Sequence, residues 1–205
     1  MRQVEPSQTS RAESYRLYID APMPMVTLFK TLDVTRLVRL SKKGHKFNML
    51  MCYCVAAAAN RVEEFRLLPV GKRLMEYDGV GVNAIVANRA GGISSCDLPF
   101  DPELGAFERA YLELTGRVWD TCRDYSLDDR MIVGTSSLAK YELDGAVNFY
   151  SGIFNNPFLI WGKYRRRGLK WQLKLSFQFH HVQMDGEQAC RFLDYVQQAA
   201  WKLPQ

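Results

Sequence analysis

The sequence predicts an α/β fold, a two-layer sandwich in which helices cover a mostly antiparallel or mixed sheet, and three observations lead there. Apolar residues recur with period two in some segments and period 3.6 in others, so strands and helices are both expected. The two kinds of segment do not follow a strict βαβ rhythm, which argues against an all-parallel sheet. Of the 205 residues 47% are apolar, enough for a substantial core. No repeat or linker divides them, so residues 1–205 are read as one domain.

Taken in order, YRLYI and MVTLFKTL, between Tyr15 and Leu32, read as strands separated by the breaker APMP. LDVTRLVRLSKKG has helical spacing at Val34, Leu37, Val38 and Leu40, with Asp33 as N-cap and Gly44 as stop. FNMLMCYCVAAAANRVEEF is apolar on nearly all sides and rich in alanine, the pattern of a buried helix packed close to its neighbours. RLMEYDGVGVNAIVAN sets Asp78-Gly79 between two strand-like runs and reads as a hairpin. In DPELGAFERAYLELTGRVWDTCRDY, Leu104, Phe107, Tyr111, Leu114, Val118 and Cys122 fall at helical intervals. Strand-like pieces follow at RMIVGTSSL, GAVNFYSGI, PFLIWGKY and KWQLKLSFQFHH, and GEQACRFLDYVQQAAWKL is a closing helix.

Composition narrows the function classes. No run approaches the roughly 18 apolar residues of a membrane span, and the start MRQVEPSQTSRAES lacks the apolar core of a signal peptide. Five cysteines at 52, 54, 96, 122 and 190 suggest neither a disulfide framework nor zinc-ligand spacing, so a reduced, cytoplasmic protein is expected. The net charge of +5 is modest, and no RNA-binding signature accompanies it, so neither nucleic acid nor membrane is expected as a partner. The dense basic cluster GKYRRRGLK, Gly162 to Lys170, reads as a hairpin tip with solvated charges or as an electrostatic patch for a phosphate-rich ligand.

Chemistry points to SFQFHHVQMDGEQACRFLDYV, where two of the three histidines stand together. Alternation puts Leu173, Leu175, Phe177 and Phe179 on one face and Gln172, Lys174, Ser176 and Gln178 on the other. Continued one step further, the same parity sends His181 to the apolar side and His180 to the polar side. Desolvation disfavours an imidazolium, and a neutral imidazole can accept a proton as a general base must. Asp185-Gly186 then turns the chain into a helix, near enough for the carboxylate to fix local geometry. A structural histidine is the competing reading. A metal site on His180, His181 and Asp185 is disfavoured, because neighbours on a strand point to opposite faces.

Several segments in order resemble the chloramphenicol acetyltransferase family. HHVQMDG matches its His-His-x-x-x-Asp-Gly signature, and PFLIWGKY is similar to its Pro-x-x-x-x-Gly-Lys-Tyr strand. HKFNMLMCYCVAAAANRVEEFR resembles its His-Lys-Phe helix, with Val62-Glu63 where a Pro-Glu-like turn stands. RAESY and LDVT resemble two N-terminal segments at matching separation. The resemblance implies transfer of an acetyl group from acetyl-CoA, a co-substrate rather than a resident cofactor, to a small hydroxylated acceptor. It implies no metal and no acyl-enzyme. His181 would be the general base, with Asp185 and Arg11 paired to hold the surrounding backbone. Ser136 in VGTSSLAK is the preferred oxyanion donor, but the Pro-Trp that follows that serine in the family is missing, so Thr135 and Ser137 stay open. A strand end rich in hydroxyls is the alternative there.

Lys46, Lys163 and Tyr164 match coenzyme-side positions, against the reading that they are ordinary surface residues. Tyr18 matches a pocket aromatic, whereas Ala146, Asn148 and Ile160 stand where Phe, Leu and Thr are expected, so the acceptor is chloramphenicol or another alcohol. The resemblance further implies a homotrimer with active sites between subunits, in antibiotic resistance or in ordinary metabolism. A non-catalytic module that binds CoA or a small molecule is a second reading. An acyltransferase core with a thiol acceptor, as in dihydrolipoamide acyltransferases, is a third.

Overall fold

A computed structural model describes residues 1–203. The chain runs through β1 (Arg2–Val4), α1 (Ala12–Tyr18), β2 (Met25–Asp33), α2 (Thr35–Ser41) and α3 (Phe47–Ala59). It continues through β3 (Leu67–Val70), β4 (Arg73–Glu76), β5 (Val80–Ala87), β6 (Ile93–Leu98) and α4 (Leu104–Thr121). The last third holds β7 (Met131–Ser137), β8 (Phe158–Trp161), β9 (Arg165–Arg167), β10 (Lys170–His180) and α5 (Gly186–Lys202).

The main sheet has the order β2-β10-β8-β7-β5-β6, with β9 paired to the start of β10. It is mixed, as expected: β7 runs parallel to both β5 and β8, and the other pairs are antiparallel. Helices α2, α3, α4 and α5 pack on one face. There β10 presents Leu173, Leu175, Phe177 and Phe179, none more than 2% exposed, as its alternation requires. Phe177 and Phe65 both pack against Phe192 of α5, at ring centroid distances of 4.7 and 4.6 Å. Helix α3 is buried on nearly every side because the alanines let it approach the sheet and α5 together. Helix α4 starts at Glu103, whose carboxylate accepts from the backbone N–H groups of Gly105 and Ala106, and stops at Cys122 in a left-handed conformation (φ 55°). Among the described residues no helix is long and apolar enough to cross a membrane.

The opposite face of the sheet carries Ser176 and Gln178 of β10, and its cover is a long irregular segment, residues 138–157. Ser176 Oγ accepts the Ala146 N–H at 2.8 Å, and Gln178 Nε2 donates to the Asn148 carbonyl at 2.7 Å. The basic tip is the hairpin β9–β10, turned at Gly168 (φ 59°), and its Arg165 pairs with Glu142 and Asp144.

Three elements differ from expectation. YRLYI belongs to α1: its five residues fit both periods, and the helical set Tyr15, Tyr18 and Ile19 packs on Leu67, Leu74 and Val182. Asp78-Gly79 does not close a hairpin, because β4 joins β1 and β3 in a separate three-stranded sheet while β5 enters the main one. The hairpin partner of β4 is β3, across Gly71 (φ 58°). GAVNFYSGI forms no strand, and its Val147, Phe149 and Ile153 stand in solvent.

Candidate active site

The site begins with a charge placed where water is scarce. Arg11, 3% exposed, lies just ahead of α1 and reaches the far end of the chain. Its guanidinium holds both Asp185 oxygens, Nη1 to Oδ2 at 2.7 Å and Nη2 to Oδ1 at 2.9 Å. It also donates to the His181 and Val182 carbonyls, each at 3.0 Å, and to Ser14 Oγ at 2.8 Å. The fork geometry of arginine suits this bidentate grip, which lysine could not reproduce. Arg11, against partial burial, holds the Asp185 carboxyl below the usual carboxylate range. Asp185 is also the N-cap of α5, where its N–H donates to Gln188 Oε1 at 3.0 Å.

His181 sits in the turn so pinned. Its N–H donates to the Pro24 carbonyl at 2.8 Å, and its ring stacks on Tyr18 with centroids 4.0 Å apart and planes within 7°. Nδ1 is buried and 3.0 Å from Asp185 Oδ1, close enough for electrostatic attraction but off the line of a hydrogen bond. The side chain is nevertheless 28% exposed, so the open part of the ring is the side away from Nδ1, where Nε2 lies.

The burial argument made for His181 applies instead to His180. Strand β10 ends at His180, so strand parity does not carry through the turn to His181. His180 is 2% exposed, and burial, with a smaller contribution from His181, pushes its pKa down to about 4. Its Nδ1 accepts the Val182 N–H at 3.1 Å, a structural task performed by a neutral ring.

On the sheet face under residues 138–157 lies a cavity of about 810 Å³. Gly134 on its wall is required: a Cβ there would fall 2.3 Å from the Phe158 ring. Ser136, two residues further along β7, shares the Gly134 face, is half-buried, and its hydroxyl makes no hydrogen bond among the described residues. Thr135 points the other way, 1% exposed, with Oγ1 donating to the Asn83 carbonyl at 2.6 Å. Ser137 shares that opposite parity.

Asn148 lines the cavity. Ile160 is paired between Ser136 and Ser176, and Ala146 is held through its N–H on Ser176, two residues along β10 from the Gln178 that holds Asn148, whereas Tyr18 is under His181. Sequence reading missed Asn83, Asp97 and Asp128 on the same wall. The Phe47 ring lies 4.7 Å from Tyr164, which brings the Lys46 and Lys163 segments together at one exposed edge.

The His181 turn and the Ser136 face do not meet within one chain. Ser136 is in register with Ser176 through Ile160, and His181 lies five residues beyond Ser176, just past the end of β10. At about 3.3 Å per residue and about 4.8 Å per strand, the separation is roughly 20 Å.

Comparison with known proteins agrees with this architecture. Chloramphenicol acetyltransferase 2 of Escherichia coli is 27% identical over 204 residues, covering 92% of this chain and 91% of that protein. The structure of a chloramphenicol acetyltransferase superposes with a TM-score of 0.80 at 16% identity, over 97% of this chain and 98% of the other. A truncated catalytic core of the 2-oxoacid dehydrogenase multienzyme complex from Thermoplasma acidophilum shares the fold, with a TM-score of 0.69 at 12% identity over 98% and 99% of the two chains. The family model described as chloramphenicol acetyltransferase matches residues 1–197, and with nearly the whole chain so matched, this enzyme is an acyltransferase that belongs to the chloramphenicol acetyltransferase family.

Proposed function

We propose that the chain transfers acetyl from acetyl-CoA to the hydroxyl of a small acceptor, with His181 as general base and Ser136 as oxyanion donor. The observation that carries this reading is the His181 turn: an imidazole with Nδ1 buried beside Asp185, its opposite side open, and its backbone clamped by Arg11. The carboxylate favours the proton on Nδ1, which leaves Nε2 free to accept. His181 takes the acceptor's hydroxyl proton as that oxygen bonds to the thioester carbonyl carbon. Ser136 donates to the carbonyl oxygen while it carries negative charge. As the carbon–sulfur bond breaks, His181 returns the proton to the departing thiolate.

A direct transfer fits the cysteines too. Burial pushes the Cys52 and Cys96 thiols up to about 12, far from an activated nucleophile. Exposed Lys46 and Lys163, neither in an ion pair among the described residues, suit the phosphates of CoA beside Tyr164. Because His181 and Ser136 are roughly 20 Å apart in one chain, the active site is completed between subunits, in a homotrimer. Exposed Phe29, Val147, Phe149 and Phe154 on that side of the sheet supply apolar area for the contact.

The test is thiol release from acetyl-CoA with chloramphenicol and a panel of other alcohols, run on the wild type and His181→Ala, beside sedimentation at micromolar concentration. Turnover lost in His181→Ala by a trimeric protein is expected. A monomer with full activity would overturn the subunit arrangement, and an undiminished His181→Ala rate would overturn the base.

A further inference from the structure

We infer that the acceptor carries a positive charge, a protonated amine set roughly 10 Å from the hydroxyl that is acetylated. The inference rests on the reading of Ser136 as part of the catalytic site and names the substrate class that the cavity on the same sheet face takes.

The cavity wall holds two carboxylates, Asp97 and Asp128, and no lysine, arginine or histidine. Asp97 is only 8% exposed, and neither acid forms an ion pair among the described residues. Two neutral donors support it: Asn83 Nδ2 on Oδ1 at 2.7 Å, and the Leu127 N–H on Oδ2 at 2.9 Å. A carboxylate has room for about four hydrogen bonds, so each oxygen keeps an acceptor direction. Neutral donors alone hold this carboxylate, so no cation among the described residues competes with a ligand that enters the cavity. Asn83 is itself spoken for, since the same Nδ2 reaches Ser95 Oγ at 2.6 Å, so this network fixes the carboxylate in place.

The rest of the lining completes the argument. Of the aromatic residues in the lining, Tyr150 and Phe158 are half-buried, and an ammonium between an aromatic face and a carboxylate is attracted by both. Distance follows from the sheet. Asp97 pairs with Asn83 across β5 and β6, and Val82 pairs with Val133 across β5 and β7, so Asp97 stands two strands from Gly134. Ser136 is two residues further along that face, which puts acid and hydroxyl donor roughly 10 Å apart after side chains lean inward.

The experiment compares two matched alcohols as acetyl acceptors: 2-[4-(aminomethyl)phenyl]ethanol, an ammonium at neutral pH, and 2-(4-ethylphenyl)ethanol, its uncharged isostere. The expected kcat/KM ratio favours the ammonium by tenfold or more, with the ester as product, and falls as salt is raised. Asp97→Asn is expected to bring the ratio close to one, and Asp128→Asn, on the exposed rim, to narrow it by a few-fold. The second variant keeps the test open where the first fails to fold.

A wild-type ratio of one with both alcohols acetylated overturns the inference and leaves the catalytic assignment standing. Silence with every alcohol, chloramphenicol included, overturns the catalytic reading. Calorimetry then decides the charge question separately: ammonium binding at least tenfold tighter than the isostere, lost in Asp97→Asn, supports it, and equal or absent binding overturns it.

Discussion

The His181 turn and the cavity on the Gly134 face of the sheet are built in opposite ways. The turn is held by the Arg11 hydrogen bonds, by a backbone bond to Pro24 and by a stacked ring. The cavity is roofed by residues 138–157, which form no strand or helix and leave Phe149 89% exposed. The role proposed for His181 is proton transfer, and such a group loses rate when its direction drifts, so a ring fixed inside the chain suits that role. The surface proposed to receive an acceptor and a neighbouring subunit instead keeps unsatisfied apolar area. One region is finished by folding, and the proposed function leaves the other to assembly and binding.

The sharpest way to break that contrast is His181→Ala, expected to lower kcat by about 10³-fold, roughly 4 kcal/mol of barrier, with the circular dichroism melt unchanged. A matching loss of melting temperature would mean that the ring supports the fold rather than the reaction. Arg11→Leu should do the reverse. It strips the His181 and Val182 carbonyls and leaves Asp185 without its cation, costing about 3 kcal/mol in urea unfolding. That is the low end for a buried pair, because the Asp185 side chain is 42% exposed and water takes up part of the loss.

Ser136→Ala belongs to the softer region and should cost about 10²-fold in kcat, near 3 kcal/mol, without any change in stability. If Thr135→Val has the same kinetic effect and Ser136→Ala none, the oxyanion donor has been misplaced by one residue.

pH separates the regions further. His180 titrates near 4 in the fold against about 6.5 when unfolded, so the unfolded chain binds the extra proton first. Stability is therefore complete above about pH 6.5 and declines as pH falls toward 4, by up to about 3 kcal/mol. His180→Asn should flatten that slope. The contribution of Asp185, whose pKa is lowered mainly by Arg11, is lost only at still lower pH, below the ordinary aspartate value. Smallest of all, Phe149→Ser should change the stability of a dilute monomer by less than about 0.5 kcal/mol, while weakening association measured by sedimentation.

The same contrast decides what could be read from the sequence. Helices α3, α4 and α5 were legible because each keeps one apolar pattern long enough to exclude the other period. Tyr15–Ile19 was too short to do so. GAVNFYSGI carries a strand's apolar content but no pairing partner within the chain, so pattern alone could not place it. His181, Asp185 and Arg11 were reachable through a local motif and a family resemblance, although the parity argument reached His181 for a reason that belongs to His180. Asp97 and Asn83 were hidden, since a cross-strand pair 14 positions apart leaves no local signature, and β6 itself was not anticipated.

Arg11 and Asp185 are 174 positions apart. A ribosome therefore releases the arginine 174 residues ahead of its carboxylate, and the His181 turn cannot be clamped before both are present. A nascent chain that has not yet reached Asp185 has no clamped turn, however well the earlier helices have condensed.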